Sequence, residues 1–271
     1  MTKHVVCYSG GHSSALVAIE VARKFPGDEI VLLNHDLPFW VEDRDTKRFK
    51  QAVADYLGLQ ITFASHENGS KDQFDVTVAK KAFKVGGGSE LCTSVLKTEP
   101  FQRWLKENAD QSNAICYYGL DANEPARIQR RSSIMGQMGW RTDYPVALWP
   151  QRTIYSTLEI GIPLPCSYGV FKHANCVGCL KAGLQHWYVV FCTRQDVWLK
   201  AKWAEDEIGY AIHKDKDGPV FLEDLEPRFQ AMQDAGVEPT EQTPSGQFWS
   251  KAKKIVAIHA TTETKPCECA A

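Results

Sequence analysis

The apolar positions in the first half of the chain fall into two alternating textures. Short continuous runs at residues 4–8, 29–36, 61–64 and 114–118 have the length of buried strands. Between them, residues 13–24, 42–57, 100–107 and 125–138 carry helical periodicity. Strands alternating with helices predict an α/β fold built on a doubly wound, Rossmann-like parallel sheet, whose ligands bind beyond the carboxyl ends of the strands. Near Tyr144 the texture changes: Pro145, Pro150, Pro163 and Pro165 punctuate the chain, and cysteines gather from Cys166 to Cys179. A Trp-rich helical stretch follows over 185–208, with Trp198 and Trp203 read as packing residues. Beyond Ile208 the sequence is polar and broken by Gly and Pro. The expected organisation is an α/β domain over 1–150 and a mostly helical, cysteine-containing extension over 151–271 that packs on it.

Composition narrows this picture only a little. Of 271 residues, 44% are hydrophobic and 24% charged, the balance of an ordinary globule. A net charge of -2 supplies no global attraction for nucleic acid, so such a partner would need a local patch. No apolar run approaches a membrane span, and Met1-Thr2-Lys3-His4 does not open a signal peptide, so a cytoplasmic protein with no membrane partner is expected. In a reducing compartment the nine cysteines read as thiols, metal ligands or catalytic groups rather than disulfides. Cys7, Cys116 and Cys192 lie in apolar runs and read as packing residues.

Chemistry enters with Ser9-Gly10-Gly11-His12-Ser13-Ser14, which joins the first strand to the first helix. Glycines there permit a tight turn and close backbone approach, and a helix N-terminus aims N–H groups at an anion. The hydroxyls of Ser9, Ser13 and Ser14 add donors to phosphate oxygens. Neither the Walker spacing nor the dinucleotide fingerprint is present. A plain turn with Ser13 as helix cap is the structural alternative. The segment resembles the S-G-G-x-x-S loop of the PP-loop adenine-nucleotide α-hydrolase superfamily. Many ATP-using members have Lys-Asp at the variable positions, where this chain has His12 and Ser13.

Three later segments resemble the phosphoadenosine-phosphosulfate (PAPS) reductase-like branch of that superfamily, in the same order. Asn34-His35-Asp36 followed by the stretch from Glu42 to Phe49 is similar to its motif after the second strand, with Asp36 placed for ribose or a metal. The run from Cys92 through Lys97 to Pro100-Phe101 resembles C-x-x-x-K-x-x-P-[LF]. Gly119, Glu124 and Arg127, with Arg130 and Arg131 just beyond, resemble a further anion-facing turn. The resemblance covers roughly the first two-thirds of the chain. It implies nucleotide binding by Ser9 to Ser14, Asp36, Gly119, Glu124 and Arg130, and stabilisation of developing negative charge by Lys97 and Arg127.

The last pattern is Cys176-Val177-Gly178-Cys179. Alone, a C-x-x-C reads as half a zinc site, part of an iron–sulfur site or a redox pair. The resemblance implies a 4Fe–4S cluster held by Cys92, Cys176 and Cys179, with Cys166, Cys267 or Cys269 as fourth ligand; Leu91 stands where the family has another cysteine. Zinc held by Cys176, Cys179, Cys267 and Cys269 is the alternative. Glu268-Cys269 resembles the family's tail, which implies Cys269 as a nucleophile toward a sulfo group. The expected activity is reduction of a sulfonucleotide with a thiol electron donor. ATP-dependent adenylation with sulfur transfer to a nucleic acid is the second reading, and a non-catalytic, metal-stapled nucleotide-binding module the third.

Overall fold

The computed structural model describes residues 1–65, 71–86, 89–174 and 176–263. In chain order the first elements are β1 (Lys3–Cys7), α1 (His12–Lys24), β2 (Glu29–Asn34), α2 (Arg44–Leu57), β3 (Ile61–Phe63) and α3 (Gln73–Ala79). Next come the single turn α4 (Leu91–Thr93), α5 (Glu99–Asn108), β4 (Ala114–Tyr117), α6 (Pro125–Gln137), β5 (Arg141–Asp143) and the short α7 (Pro145–Leu148). The remainder is α8 (Leu184–Thr193), α9 (Gln195–Ile208), the two-residue strands β6 (His213–Lys214) and β7 (Pro219–Val220), α10 (Leu222–Asp234) and α11 (Ser245–Glu263).

The chain divides into two compact units. One comprises Met1–Asp72, Cys92–Tyr168 and His173–Cys176; the other comprises Gln73–Leu91, Gly169–Lys172 and Val177–Ala271. This division differs from the expected segments 1–150 and 151–271, because residues 73–91 leave the first unit and residues 151–168 and 173–176 join it.

The first unit holds a five-stranded parallel sheet in the order β3-β2-β1-β4-β5. The chain winds outward from β1 to β3, then returns to β4 on the other side of β1. The ends of β1 and β4 therefore flank the switch point where such sheets bind ligands. Strand alternation sends successive residues to opposite faces. Val6, Leu32 and Tyr117 join Leu16, Ile19, Phe49 and Val53 of α1 and α2 in one buried cluster. Val5, Val31, Leu33 and Cys116 join Phe101, Leu105 and Met135 of α5 and α6 in the other. Burying both faces explains the continuous apolar runs of β1, β2 and β4. The three-residue β5, Arg141-Thr142-Asp143, is an edge strand too polar and short to have been anticipated.

The second unit is built on aromatic packing. Trp187, Trp198 and Phe229 are fully buried, with the two indoles edge-to-face at 6.2 Å and Trp198 to Phe229 at 5.8 Å. Trp198 is thus a packing residue as expected, whereas Trp203 is 42% exposed and is not. The predicted helix over 185–208 is two helices, broken where Arg194 takes φ -141° and ψ 66°. Beyond it, α10 and α11 occupy the stretch read as polar and broken. Glu205, buried on α9, accepts from the N–H groups of Ile212 and Leu222 at 2.6 and 2.7 Å and so holds the start of α10.

Candidate functional site

The Ser9–Ser14 segment forms a tight turn between β1 and α1. Gly10 takes φ +82°, and a Cβ there would lie 2.6 Å from Cδ of Lys50. Gly11 occupies the N-cap position without a side-chain cap, so Ser13 is not the cap. Ser14 Oγ donates to Gly11 O at 2.8 Å, and Ser9 Oγ donates to Ser14 Oγ at 3.2 Å. The N–H of His12 donates to the Tyr168 hydroxyl at 3.0 Å. The N–H groups of Ser13 and Ser14 have no protein acceptor among the described residues. They are the unpaired donors that a helix N-terminus offers an anion.

Gly119, at the end of β4, meets this turn directly. A Cβ on Gly119 would stand 2.8 Å from the backbone nitrogen of Ser14 and 2.9 Å from the carbonyl carbon of Ser13. Only a residue without a side chain fits this approach. Two segments that the sequence offered separately are thus one junction at the switch point.

Beneath the loop lies a buried ionic network. Lys50 Nζ donates to Glu42 Oε2 at 2.7 Å and to Asn34 Oδ1 at 3.0 Å, and Asn34 donates in turn to the carbonyl of Tyr8. Burial pulls the Lys50 ammonium below its usual range, against the opposing pull of Glu42. This lysine holds the stem of the loop and was not anticipated from the sequence, where it reads as one more polar position of α2.

A cavity of about 220 Å³ opens at the carboxyl ends of β1, β2 and β4. Its apolar walls include Leu33, Phe101, Met135 and Met138; Ser9, His35, Lys97 and Arg131 bring polar groups to it. Burial raises the Cys7 thiol to about 12, so this cysteine is neutral and lines the cavity as well as packing. The Tyr118 hydroxyl in the same wall is buried without a hydrogen bond of ordinary geometry; the thiol of Cys7 beside it is a weak acceptor.

No protein-family model matches the chain, and no curated protein matches it.

The residues suggested by sequence divide clearly. Ser9 to Ser14 and Gly119 meet as described, and Lys97 lines the cavity from a five-residue π-helical turn, Ser94–Thr98. Asp36 does not line the cavity; its carboxylate pairs with Lys47 at 2.7 Å. Glu124 stands at the N-cap of α6, accepts from the N–H of Asp121 at 3.1 Å and pairs with Arg127. Arg127 and Arg130 are exposed on α6 away from the cavity lining, and Arg131 lines it. The helical repeat decides this: residues 131, 134, 135 and 138 share the face turned to the cavity.

His12, part of the loop, is engaged within its own unit. Its Nε2 accepts from the N–H of Thr157 at 3.3 Å, and burial with the nearby Arg152 guanidinium lowers its pKa, so the ring is neutral. Thr157 and Tyr168 thus buttress the loop from a Pro-punctuated segment that carried no motif.

The cysteines are distributed as follows. Cys92 and Cys176 belong to the first unit and Cys179 to the second. Cys176 Sγ receives a hydrogen bond from Lys97 Nζ at 3.6 Å. Cys166 is exposed, its N–H donating to Asp45 at 2.6 Å. Cys267 and Cys269 lie outside the described residues. A cluster or zinc ion needs at least three converging donors. Among the described residues no three His, Cys, Asp or Glu side chains form such a group. Among the described residues no helix is long and apolar enough to cross a membrane.

Proposed function

We propose that the chain is a PP-loop adenine-nucleotide enzyme of the PAPS reductase-like kind, which reduces the sulfo group of a sulfonucleotide to sulfite. The observation that carries this reading is the junction at the switch point, where two unpaired N–H groups and serine hydroxyls adjoin an apolar cavity. A nucleotide has the matching division, an anionic phosphate and a flat apolar base. The cavity volume lies below the roughly 300 Å³ of whole-ligand pockets, which suits a base with its phosphate outside on the loop.

Two features favour a sulfonucleotide over ATP. His12 is neutral and tied to Thr157, so the loop brings no fixed cation to a triphosphate. Lys97 links the cavity to a thiol through Cys176. In this reading the α-phosphate rests on the Ser9–Ser14 turn and Lys97 offsets the negative charge that grows on the leaving phosphate. The thiolate of Cys269 attacks the sulfo sulfur. An S–S bond forms, the S–O bond to phosphate breaks, and the nucleotide leaves with that electron pair. A thiol donor then attacks the cysteine sulfur of the S-sulfocysteine and expels sulfite; a second donor thiol resolves the mixed disulfide, leaving the donor oxidised and Cys269 reduced.

The test is anaerobic turnover of adenosine 5′-phosphosulfate or PAPS with a reduced dithiol. Sulfite and the desulfated nucleotide are expected in equal amounts, with Cys269→Ser abolishing turnover and Lys97→Ala lowering it by about 10²-fold. Undiminished sulfite from Cys269→Ser would remove that cysteine from the mechanism. The exposed Arg127 and Arg130 of α6 favour one second reading, ATP-dependent sulfur transfer to a nucleic acid. Acceptor-dependent pyrophosphate release from ATP, without sulfite from either sulfonucleotide, would move the assignment there.

A further inference from the structure

We propose that His35 distinguishes a 6-amino purine from a 6-oxo purine in the cavity; the inference rests on the reading that this cavity receives the base of a nucleotide. His35 directly follows β2, at the carboxyl edge of the sheet, and is part of the cavity wall. Its Nδ1 lies 2.7 Å from the carbonyl oxygen of Ala64. A carbonyl only accepts, so Nδ1 carries the ring proton and Nε2 keeps its lone pair. Among the described residues nothing bonds to Nε2.

The surroundings keep that lone pair available. Burial, reinforced by the ammonium groups of Lys97 and Lys50, lowers the imidazole pKa to about 4, so the ring is neutral at physiological pH. The neighbouring walls are largely apolar, with Cys7, Leu33, Phe101 and Met135 among them. In such a place a hydrogen bond made or missed has consequences, because little water competes for it. The 6-amino group of adenine donates a hydrogen to Nε2. The 6-oxo group of hypoxanthine or guanine instead sets an oxygen lone pair against the nitrogen lone pair, leaving two buried acceptors opposed. The second ring nitrogen, fixed by Ala64, prevents the ring from adopting the other tautomer to accommodate the oxo group.

The inference can be tested on the full chain by calorimetric titration with adenosine, inosine and purine-riboside 5′-monophosphates, which share the phosphate and differ at position 6 and, for inosine, in the hydrogen that N1 carries. We expect the adenosine nucleotide to bind at least tenfold tighter than the inosine nucleotide, with purine riboside between them. His35→Phe should weaken adenosine monophosphate by about tenfold, leave inosine monophosphate nearly unchanged and bring their ratio close to one. His35→Gln, whose amide can still present an acceptor, should retain part of the preference. Equal binding of the three nucleotides by the wild type, which involves no substitution and no question of folding, would overturn the role of His35 while leaving the nucleotide site standing. A preference that survives in His35→Phe would do the same. Failure of the wild type to bind any of the three would overturn both the base cavity and the inference built on it.

Discussion

Two glycine turns in this molecule use the same backbone device and differ in what satisfies them. At Ser9–Ser14, Gly10 takes φ +82°, and the N–H groups of Ser13 and Ser14 are left without protein acceptors among the described residues. At the C-x-x-C, Gly178 takes φ +72°, but its N–H donates to His186 Nε2 at 3.1 Å. Gln73 Nε2 donates to the carbonyls of Val177 and Gly178, at 2.8 and 3.3 Å. His186 Nδ1 donates to Glu241 at 2.7 Å, and that carboxylate also accepts from the N–H of Lys172 at 3.0 Å. The first turn leaves the N–H groups of Ser13 and Ser14 at a helix N-terminus, whereas Gly178 of the second is held on both its N–H and its carbonyl by side chains of its own unit. Donors gathered at a helix N-terminus beside a cavity are the arrangement that receives an anion, whereas a glycine bonded on both its N–H and its carbonyl is fixed by its own scaffold.

The sharpest way to break this comparison is to remove the support of the loop. Lys50→Met leaves the buried Glu42 with only the more distant Lys47, at 3.6 Å, and should cost about 3–5 kcal/mol of stability, read from denaturant unfolding. A loss below about 1 kcal/mol would mean the Lys50–Glu42 pair does not hold the stem. The next effect falls on the other turn. In Gly178→Ala the new Cβ would lie 2.6 Å from Cγ1 of Val197 at a left-handed φ, and about 2–4 kcal/mol should be lost. Nucleotide binding should be retained by this variant wherever it remains folded.

Alongside these stands a pH dependence that runs in opposite directions. Burial holds His35 and His213 down to about 4, against 6.5 when unfolded. The unfolded chain therefore takes up these protons first, and stability falls as pH drops from about 6.5 to about 4. Burial raises Glu205 to about 7 from 4.5, so its contribution is complete below 4.5 and is lost as pH rises through about 7. Melting temperature against pH should thus decline on both sides, and His213→Phe should flatten the acid side alone.

Most of the sheet was legible because both of its faces are buried, which makes β1, β2 and β4 continuous apolar runs. The boundaries of α1, α2, α5 and α6 lay within two residues of the expected ones for a similar reason, their apolar stripes facing those runs. What escaped was set by tertiary contacts. Arg194 breaks a helix with no Gly or Pro beside it, and α10 begins where a carboxylate from α9 meets Leu222. The loop at Ser9 and the turn at Gly119 were each visible, but their approach, so close that a Cβ on Gly119 would stand 2.8 Å from Ser14 N, was not, since no local pattern encodes it. Lys50, Thr157 and Tyr168 act by supporting other residues, and such positions look ordinary in a sequence. His35 was visible within a motif, yet its use depends on Ala64, a residue on another strand's end.

The most direct test of the central claim is a calorimetric titration of the full chain with adenosine 5′-phosphosulfate, comparing the wild type with Gly119→Ala. The methyl group would meet the backbone at Ser13 and Ser14, which cannot move aside as a flexible side chain would. The account predicts one site per chain in the wild type, and binding at least tenfold weaker (about 1.4 kcal/mol) in a folded Gly119→Ala. Absence of binding by the wild type, or equal affinity in the two proteins, would contradict it.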